Sequence, residues 1–277
     1  MAETLHFSTH YDAAPTSIPL VLLHGWGLNS AVWQPLIEKL SIYFKANFHI
    51  ITIDLPGFGE NYHNKLQSYS LANITKQIDK TIEQPAIYLG WSLGGLVATE
   101  MALTYPEKVL GLITVASSPR FLEETVSKTA SKIIWPGIKP AVLSAFHQQL
   151  QVDTKKTISG FLKIQAMGSP HIRDDIKLIS QLVLQQQMPS KATLDESLIL
   201  LEHSDYREKL AAIEQPFLRL YGSADRLVPK AVIAQVANIA KQSEQQVFEH
   251  ASHAPFISHL DDFNKVLTAW LVEQFLP

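Results

Sequence analysis

The sequence predicts an α/β fold: a mostly parallel central sheet with helices on both faces and an inserted helical lid. Three observations lead to this prediction. Short apolar runs alternate with stretches whose apolar residues recur at helical spacing, as in parallel sheets covered by helices. One such run breaks at the pattern Gly-x-Ser-x-Gly and continues as a helix. A later segment, from about residue 120 to about residue 201, has helical patterning and no strand-like run.

Composition limits the class of protein. The 277 residues suffice for one large α/β domain or for a core domain with an insertion, and a hydrophobic fraction of 46% is ample for a buried core. The net charge of −3, with both signs spread along the chain, gives no sign of a nucleic-acid partner. The chain has no cysteine, which excludes disulfides, a thiol nucleophile and thiolate metal sites.

The sequence also leads to expectations about the cellular location of the protein and about what it binds. The first residues lack the basic and apolar regions of a signal peptide, and no apolar run approaches membrane-spanning length. We therefore expect a cytoplasmic monomer that binds neither membrane nor nucleic acid. No His-x-x-x-His pair falls on a plausible helix and no carboxylate cluster suits a metal, so we expect neither a metal nor a cofactor.

The first predicted buried strand covers residues 18–23 and ends in His24-Gly-Trp-Gly. A glycine-flanked turn after a central strand can direct backbone N–H groups into a site, so we expect the N–H of Trp26 to be one donor of an oxyanion hole. The alternative is an ordinary strand-to-helix turn with a packing tryptophan. His24 is expected to shape this loop rather than to act as a base.

The next elements are a helix, a strand and a second helix. Asn29 or Ser30 can cap the helix, whose apolar positions run from residue 32 to residue 40. The strand covers 48–54 and leads into a turn-rich loop at 55–59. Asp54 is expected to brace that loop rather than to serve as a catalytic acid. A helix is predicted over 70–83.

The pattern Gly-x-Ser-x-Gly lies where a predicted strand, an apolar run that begins at residue 86, breaks at Gly90; a run with helical character follows it to about residue 103. A serine at the apex of such a tight turn is held clear of its own backbone, which makes Ser92 the candidate nucleophile. Gly90 and Gly94 fit because the turn leaves little room for a Cβ. The N–H of Leu93, at the start of the helix, is the expected second oxyanion donor.

After a further strand at 109–116, the segment 120–201 contains amphipathic stretches separated by prolines. We expect a core of 1–119 and 202–277, with 120–201 as a helical lid that supplies the apolar walls of a substrate tunnel. The alternative is a structural cap without substrate contact. Basic residues of this segment would ordinarily form a solvated face. They would have a binding role if the substrate is attached to an acidic carrier. These residues are Lys155, Lys156, Lys163, Arg173 and Lys177.

The strand pattern resumes at 216–222, and Asp225 lies on the loop that follows. A last strand at 246–249 leads to a loop with two histidines. We favour His253 over His250 as the base, because His253 lies deeper in the loop and a nearby proline fixes it. His259, at the start of the C-terminal helix, is a weaker candidate. The order Ser, Asp, His is the one expected when these three residues act together.

Taken together, these residues resemble the α/β-hydrolase superfamily along nearly the whole chain. The resemblance is narrower for one family within it, the esterases that cleave the methyl ester of pimeloyl groups on acyl-carrier protein. The narrowest signals are the tryptophan before Ser92 in Gly-Trp-Ser-Leu-Gly-Gly at 90–95 and the segment Trp-Pro-Gly-Ile-Lys-Pro at 135–140; His-Ala-Pro-Phe-Ile-Ser-His at 253–259 also matches. Matching runs also lie at 22–29, 54–59, 114–119 and 217–222.

The resemblance implies an α/β-hydrolase fold and a catalytic triad of Ser92, Asp225 and His253. It also implies substrate contacts from residues on the first loop, at the turn, on the lid and at the base; these are Trp26, Ser92, Leu93, Phe161, Leu162, Lys163, Ile164, Gln165 and His253. Contacts with the acyl-carrier protein are implied for Lys156, Arg173 and Lys177. Gly160 stands where a further basic residue is expected, Asn61 replaces a more usual serine and Ser252 a more usual glycine.

The hypothesis from sequence is a serine carboxylesterase that releases methanol from pimeloyl-[acyl-carrier protein] methyl ester in biotin synthesis. Within enzymes, the alternatives are a general short-chain carboxylesterase or a hydrolase of C–C bonds. Outside enzymes, the alternative is a ligand-binding protein with an inactive site on the same scaffold, because fold alone does not determine function. The complete set of serine, acid and histidine, with both glycines of the turn, argues against that last alternative.

Overall fold

The structure is a computed structural model that describes residues 4–11, 14, 16–125, 133–183 and 185–276. Strands and helices alternate on either side of a helical segment. The strands are β1 (Phe7–His10), β2 (Ile18–Leu23), β3 (Phe48–Ile53), β4 (Ala86–Trp91), β5 (Val109–Val115), β6 (Glu124–Thr125), β7 (Ile133–Trp135), β8 (Phe217–Gly222) and β9 (Glu244–Phe248). The helices are α1 (Gln34–Lys39), α2 (Ile42–Asn47), α3 (Leu71–Thr81), α4 (Leu93–Thr104), α5 (Pro140–Val152), α6 (Thr154–Ala166), α7 (Ile172–Val183), α8 (Lys191–His203), α9 (Ala231–Ile239), α10 (Pro255–Ser258) and α11 (Leu260–Phe275).

The main sheet has the order β1-β3-β2-β4-β5-β8-β9. β1 runs antiparallel to β3, and the other pairings in this sheet are parallel. β4 and β8 are buried along their whole length, which explains why neither strand alternates between apolar and polar residues; β8 contains one charged residue, the buried Arg219. The predicted mostly parallel sheet is therefore confirmed. Its parallel strands bring the loops after β2, β4, β8 and β9 to one edge.

Helix starts follow the capping residues in the sequence. The Asn29 side chain accepts a hydrogen bond from the N–H of Ala31, so Asn29 rather than Ser30 caps the first helical segment. That segment is a 3-10 turn at Ser30–Trp33 that continues as α1, and α2 follows as a separate helix. The Ser70 hydroxyl accepts from the N–H of Asn73 at the start of α3.

Two strand features differ from the sequence prediction. β1 was not predicted, because its four residues Phe-Ser-Thr-His are mostly exposed at the sheet edge and contain no apolar run. The prediction that 120–201 contains no strand is wrong: Glu124–Thr125 pairs antiparallel with Ile133–Trp135. Both strands are too short to produce a recognisable periodicity.

Helices α5 to α8 lie between β7 and β8 in the chain, and two hydrogen bonds join them to the loop after β2. The indole Nε1 of Trp26 donates to the carbonyl of Leu194 on α8, over 3.0 Å. The amide of Asn29 donates to the carbonyl of Val183 at the end of α7, also over 3.0 Å. All the groups involved are buried, so these helices lie against the sheet edge where the functional loops meet.

Candidate active site

Ser92 occupies the turn between β4 and α4. Its φ of 54° and ψ of −114° are unusual for a residue with a side chain, and such strain is typical of functional turns. The N–H of Ser92 donates to the carbonyl of Val115, and its own carbonyl accepts from the hydroxyl of Ser117 at 2.9 Å. Because both backbone groups are bonded, the surrounding strands hold the turn in this conformation.

The glycines flanking Ser92 are required by close backbone contacts, as predicted. A Cβ on Gly90 would overlap the carbonyl group of Gly94. A Cβ on Gly94 would overlap the carbonyl oxygen of Leu23 at the end of β2. The helix therefore begins pressed against two strands, and only glycine permits that approach.

Asp225 and His253 form a buried pair. The Nδ1 of His253 lies 2.8 Å from Oδ2 of Asp225, and because a carboxylate only accepts, Nδ1 carries the proton. Oδ1 of Asp225 accepts from the N–H groups of Leu227 and Val228, at 2.8 Å and 3.1 Å. These bonds fix the carboxylate, and in the neutral imidazole the proton on Nδ1 leaves the lone pair on Nε2, where it can accept a proton.

Nε2 of His253 is buried and makes no hydrogen bond within the described part of the chain. The hydroxyl of Ser92, on a residue that is 1% exposed, likewise has no hydrogen bond to His253 among the described contacts. Catalytic hydrogen bonds are often long before substrate binds, so this geometry is compatible with a serine–histidine pair. The structure thus joins the predicted acid to the predicted base and leaves the base's reactive nitrogen free.

The backbone of His253 is held from two sides. Its carbonyl accepts from the indole Nε1 of Trp91 at 2.8 Å, and Trp91 is the residue immediately before Ser92. Its N–H donates to the carbonyl of Gln165 at the end of α6, at 3.1 Å. The ring of Trp91 lies 5.8 Å from the imidazole ring. Trp91 therefore connects the serine turn directly to the histidine loop.

Trp91 and Ser117 support the candidate site through hydrogen bonds, and neither was assigned a role from the sequence. Trp91 gave a signal, since a tryptophan before the serine is a narrow feature of the resemblance, but its contact with His253 spans 162 residues. Ser117 ends β5 and looks like an ordinary loop residue. Its hydroxyl bond to the Ser92 carbonyl gave no signal in the sequence.

The two predicted oxyanion donors lie at the starts of the loop after β2 and of α4. Leu93 is the first residue of α4, where a backbone N–H has no partner within the helix. Within the described residues, neither its N–H nor that of Trp26 donates a hydrogen bond to another backbone group. Both residues are fully buried. Both predicted donors are therefore without a backbone acceptor among the described residues, and that of Leu93 directly follows Ser92.

His24 and Asp54 brace the loops beneath the site, as predicted. Nδ1 of His24 bonds the carbonyl of Gly25, and its Nε2 accepts from the N–H of Leu55 at 2.9 Å, so the ring is neutral. Burial lowers the pKa of His24, although the nearby Asp54 carboxylate opposes the shift. The Asp54 carboxylate accepts from the N–H groups of Ser30 and Glu60, at 2.6 Å and 2.9 Å.

Three further polar residues considered from the sequence, His250, His259 and Asn61, lie outside the Asp225–His253 pair. His250 is exposed, with a φ of 63° and its N–H donating to the Ser223 hydroxyl. His259 precedes α11, and its ring Nδ1 lies 2.9 Å from the Ser258 hydroxyl. The Asn61 amide donates to the carbonyls of His6 and Asp54, which ties the start of β1 to the Asp54 loop. None of the three contacts the Asp225–His253 pair through a hydrogen bond among the described residues.

The five residues of α6 implied as substrate contacts divide between two faces. Phe161, Leu162 and Gln165 are buried, and the ring of Phe161 lies 4.7 Å from that of Trp26. The amide nitrogen and oxygen of Gln165 are buried without a partner in the described chain. Lys163 is exposed and Ile164 partly buried, on the other side of the helix.

The three predicted carrier contacts are exposed side chains of the inserted helices. Lys156 lies in the first turn of α6, and Arg173 and Lys177 lie one turn apart on α7. None of the three has a carboxylate within 4 Å among the described residues.

The described histidines and carboxylates form no group of three arranged to hold a metal ion. No described helix combines the length and apolar composition needed to cross a membrane.

Known proteins with related sequences identify the family to which the chain belongs. The chain matches the α/β-hydrolase fold family over residues 18–260. It is 44% identical over 250 residues to the pimeloyl-[acyl-carrier protein] methyl ester esterase of Citrobacter koseri, covering 90% of this chain and 92% of that protein. The protein of the same name from Aliivibrio fischeri is 44% identical over 271 residues, 98% of each chain.

Solved structures agree on the fold. An esterase from Exiguobacterium antarcticum superimposes with a TM-score of 0.80 at 20% identity, over 96% of this chain and 94% of that one. At that identity the likeness shows the fold alone. With the family match and the 44% identity to the curated relatives, the chain therefore belongs to the α/β-hydrolase family and, within it, to the pimeloyl-[acyl-carrier protein] methyl ester esterases.

Proposed function

We propose that this protein is a serine carboxylesterase that hydrolyses the methyl ester of pimeloyl-[acyl-carrier protein] to the free acid and methanol, in biotin biosynthesis. The observation that carries the proposal is the buried Asp225–His253 pair, whose Nε2 makes no hydrogen bond among the described residues and whose loop is bonded to Trp91, the residue before Ser92 in its strained turn. The family of the chain consists of carboxylic ester hydrolases, which supports the same reaction class.

The chemistry follows from the positions of the protons. Nε2 of His253 takes the proton of the Ser92 hydroxyl as Oγ attacks the ester carbonyl. Asp225 keeps the imidazole in the tautomer with its proton on Nδ1 and stabilises the imidazolium that forms. The N–H groups of Trp26 and Leu93 bind the negative oxygen of the tetrahedral intermediate.

Collapse of the intermediate breaks the bond to the methoxy oxygen. The imidazolium returns its proton to that oxygen and methanol leaves, which gives an ester between the pimeloyl group and Ser92. His253 then removes a proton from water as the water attacks this acyl-enzyme. The second intermediate collapses to the free carboxylic acid, and Ser92 recovers its proton.

The inserted segment, 120–201, serves in this proposal as the lid. Phe161, Leu162, Ile164 and Gln165 would line or support the substrate channel, and Lys163 would meet the substrate near its surface. The buried aromatic contact between Phe161 and Trp26 supports this role. Lys156, Arg173 and Lys177 would attract the acidic carrier protein, because exposed unpaired cations steer oppositely charged partners.

The test measures methanol release from pimeloyl-[acyl-carrier protein] methyl ester beside hydrolysis of a short p-nitrophenyl ester. Ser92→Ala should lower both rates by more than about a thousandfold, because the nucleophile is lost. Ser68→Ala, which changes an exposed serine before α3, is the control and should retain both rates.

Each outcome selects one function. Cleavage of the carrier ester that depends on Ser92 supports the proposal. Cleavage of the p-nitrophenyl ester alone would identify a general short-chain carboxylesterase. A wild-type protein that cleaves neither ester and is not labelled by a fluorophosphonate would be a non-catalytic binding protein, because only an activated serine reacts with that probe.

A further inference from the structure

Ser117, just after β5, contacts the turn that carries Ser92. The residue before it, Ala116, has a φ of 44°, which is uncommon for a residue with a side chain. The N–H of Ala116 donates to the carbonyl of Leu220 on β8 at 2.8 Å. Strained backbone of this kind persists only where its surroundings hold it, and it is concentrated at functional sites. The sheet therefore holds the chain in an unfavourable conformation directly before Ser117.

The hydroxyl of Ser117 donates a hydrogen bond to the carbonyl of Ser92 over 2.9 Å. The same carbonyl accepts from the N–H of Gly95, also over 2.9 Å. A carbonyl oxygen has two lone pairs, so these two donors fill its capacity. Ser117 is 5% exposed and Ser92 is 1% exposed, so water does not readily replace the hydroxyl. One side chain and one helix bond therefore fix the direction of the Ser92 carbonyl.

Helix α4 approaches Ser117 as closely as a residue without a side chain allows. A Cβ on Gly95 would overlap both Cβ and Oγ of Ser117. The third glycine of the motif at 90–95 is thus explained by the position of this serine. Because the helix presses on Ser117 from one side, its hydroxyl is confined next to the Ser92 carbonyl.

The carbonyl of Ser92 and the N–H of Leu93 belong to one peptide group. A peptide group is planar, and in the trans form its C=O and N–H point in opposite directions. The ψ of Ser92, −114°, sets the rotation of this plane. The plane cannot rotate unless the carbonyl turns away from Ser117. A bond that fixes the carbonyl therefore also fixes the direction of the Leu93 N–H.

From this geometry we infer that Ser117 is a positioning residue of the oxyanion hole. Its hydroxyl holds the Ser92 carbonyl on the side of β5 and so directs the N–H of Leu93 to the opposite side, where the negative oxygen of the tetrahedral intermediate forms. Ser117 acts through the peptide group, without contact with the reacting atoms. The inference rests on the proposed function, since it assumes that Ser92 attacks a carbonyl and that Leu93 stabilises the oxyanion.

The first test is kinetic and uses Ser117→Ala. Without the hydroxyl, the Ser92 carbonyl keeps only its bond to Gly95, and the peptide plane can rotate. The kcat for p-nitrophenyl acetate should fall by about tenfold, less than the loss of about a hundredfold or more that follows removal of an entire oxyanion donor. KM should stay the same, because the oxyanion exists only after attack. Ser118→Ala, whose buried hydroxyl bonds the carbonyl of Arg120 instead, is the matched control and should keep both constants.

The second test measures the oxyanion directly, with trifluoromethyl butyl ketone labelled with ¹³C at its carbonyl. Oγ of Ser92 adds to the carbonyl carbon, the serine proton passes through His253 to the former carbonyl oxygen, and the resulting hemiketal hydroxyl ionises in the oxyanion hole. The ¹³C shift followed against pH gives the pKa of that hydroxyl. In Ser117→Ala this pKa should be higher than in wild type by about 1, a tenfold loss of preference for the oxyanion. A fault confined to folding or to attack by Ser92 would change the yield of the adduct and not this pKa.

A second variant, Ser117→Cys, separates the hydrogen bond from the space that the side chain fills. Cysteine has nearly the volume of serine, but its thiol is a weak donor. The pKa of the hemiketal should therefore rise in Ser117→Cys as well, and this variant decides the result if Ser117→Ala does not fold. Ser118→Ala should titrate as wild type does.

The outcomes separate this inference from the proposed function. If wild type forms the hemiketal and Ser117→Ala titrates as wild type does, the hydroxyl does not orient Leu93; the inference is overturned and the esterase assignment stands. The same conclusion follows if Ser117→Cys titrates as wild type does, because filling the space would then suffice. If wild type neither forms the adduct nor cleaves p-nitrophenyl acetate, the proposed function fails and the inference fails with it.

Discussion

The turn after β4 and helix α6 approach His253 from opposite sides, and each contains glycine in a different setting. At the turn, a Cβ on Gly94 would overlap the Leu23 carbonyl, so the sheet itself imposes the residue. On α6, a Cβ on Gly160 would meet open space. The turn is determined by packing and carries the proposed chemistry, whereas neither a neighbouring atom nor the backbone conformation requires glycine at residue 160 of α6.

The two regions also hold His253 by different means. The turn supplies a side chain, the indole of Trp91, whereas α6 supplies only a backbone carbonyl, that of Gln165. A side-chain donor can be removed by substitution, but a carbonyl can be withdrawn only if the helix moves. The comparison therefore predicts that single substitutions at the turn change the position of His253. On the helical side, only a movement of α6 should do so.

The largest effect is expected from the acid that the sheet loops position. Asp225→Asn should lower kcat for a p-nitrophenyl ester by about 10⁴-fold, because an amide favours the wrong imidazole tautomer. Steady-state kinetics measure this, with circular dichroism to verify folding. Asp262→Asn, an exposed carboxylate of α11, should leave kcat unchanged. A fall of less than tenfold in Asp225→Asn would mean that another residue orients His253.

The next effect tests the packing of the turn. Gly94→Ala should lower the free energy of unfolding by about 3 kcal/mol, because the added methyl group must displace the end of β2. Urea unfolding measures this change, and the rate of fluorophosphonate labelling reports on Ser92. Wild-type stability together with wild-type labelling would show that the turn relaxes freely, which would remove the contrast with α6.

A smaller effect is expected from the bond that joins the turn to the histidine loop. Trp91→Phe removes the hydrogen bond to the His253 carbonyl and should lower kcat by about fivefold, since one such bond contributes about 1 kcal/mol. KM should stay the same, because the change affects the base and not the binding of substrate. Trp270→Phe removes an indole bond to Glu244 away from the site and should change neither constant. A change in KM alone would contradict the positioning role.

Acid should lower the free energy of unfolding through histidines that lie on β1, on β3 and on the loop after β2. Burial lowers the pKa of His10, His24 and His49, so the unfolded chain binds more protons than the folded one below their ordinary pKa of 6.5. The free energy of unfolding should therefore fall as the pH drops below about 6.5. Urea titrations between pH 7.5 and 5.5 measure it. His24→Gln should flatten the dependence, and His250→Gln, an exposed histidine, should not.

The smallest effect, of opposite sign, is expected on α6. Gly160→Ala should raise the free energy of unfolding by about 0.5–1 kcal/mol, because the methyl group meets no neighbour and the helix interior gains from alanine. Urea unfolding of the two proteins measures the difference. A loss of stability would mean that a Cβ is not tolerated here, and the contrast between the two glycines would disappear.

Much of the sheet and of the Asp225–His253 pairing could be predicted from the sequence. Buried parallel strands are short apolar runs, and the order of serine, acid and histidine, with a loop after each strand, places these residues at one sheet edge. β1 could not be predicted because an exposed edge strand has little apolar patterning. β6 and β7 were missed because two or three residues give no period.

The contacts that support the candidate site were less accessible to sequence reasoning. The bond from Trp91 to His253 and the bond from His253 to Gln165 depend on how distant loops meet, which no local pattern encodes. The division of α6 between a buried face with Phe161 and an exposed face with Lys163 also depends on which elements pack against the helix. The helical period indicates two faces, but it does not say what covers each one.

The bond between the N–H of His253 and the carbonyl of Gln165 has a consequence for timing. Any excursion that lifts the end of α6 away from the sheet must break this bond, and the backbone of the base then loses one of its two anchors. In the proposed esterase, substrate entry that lifts α6 and positioning of His253 for reaction would therefore occur one after the other. The form with α6 raised would hold His253 less firmly, and the second anchor would return only when α6 does.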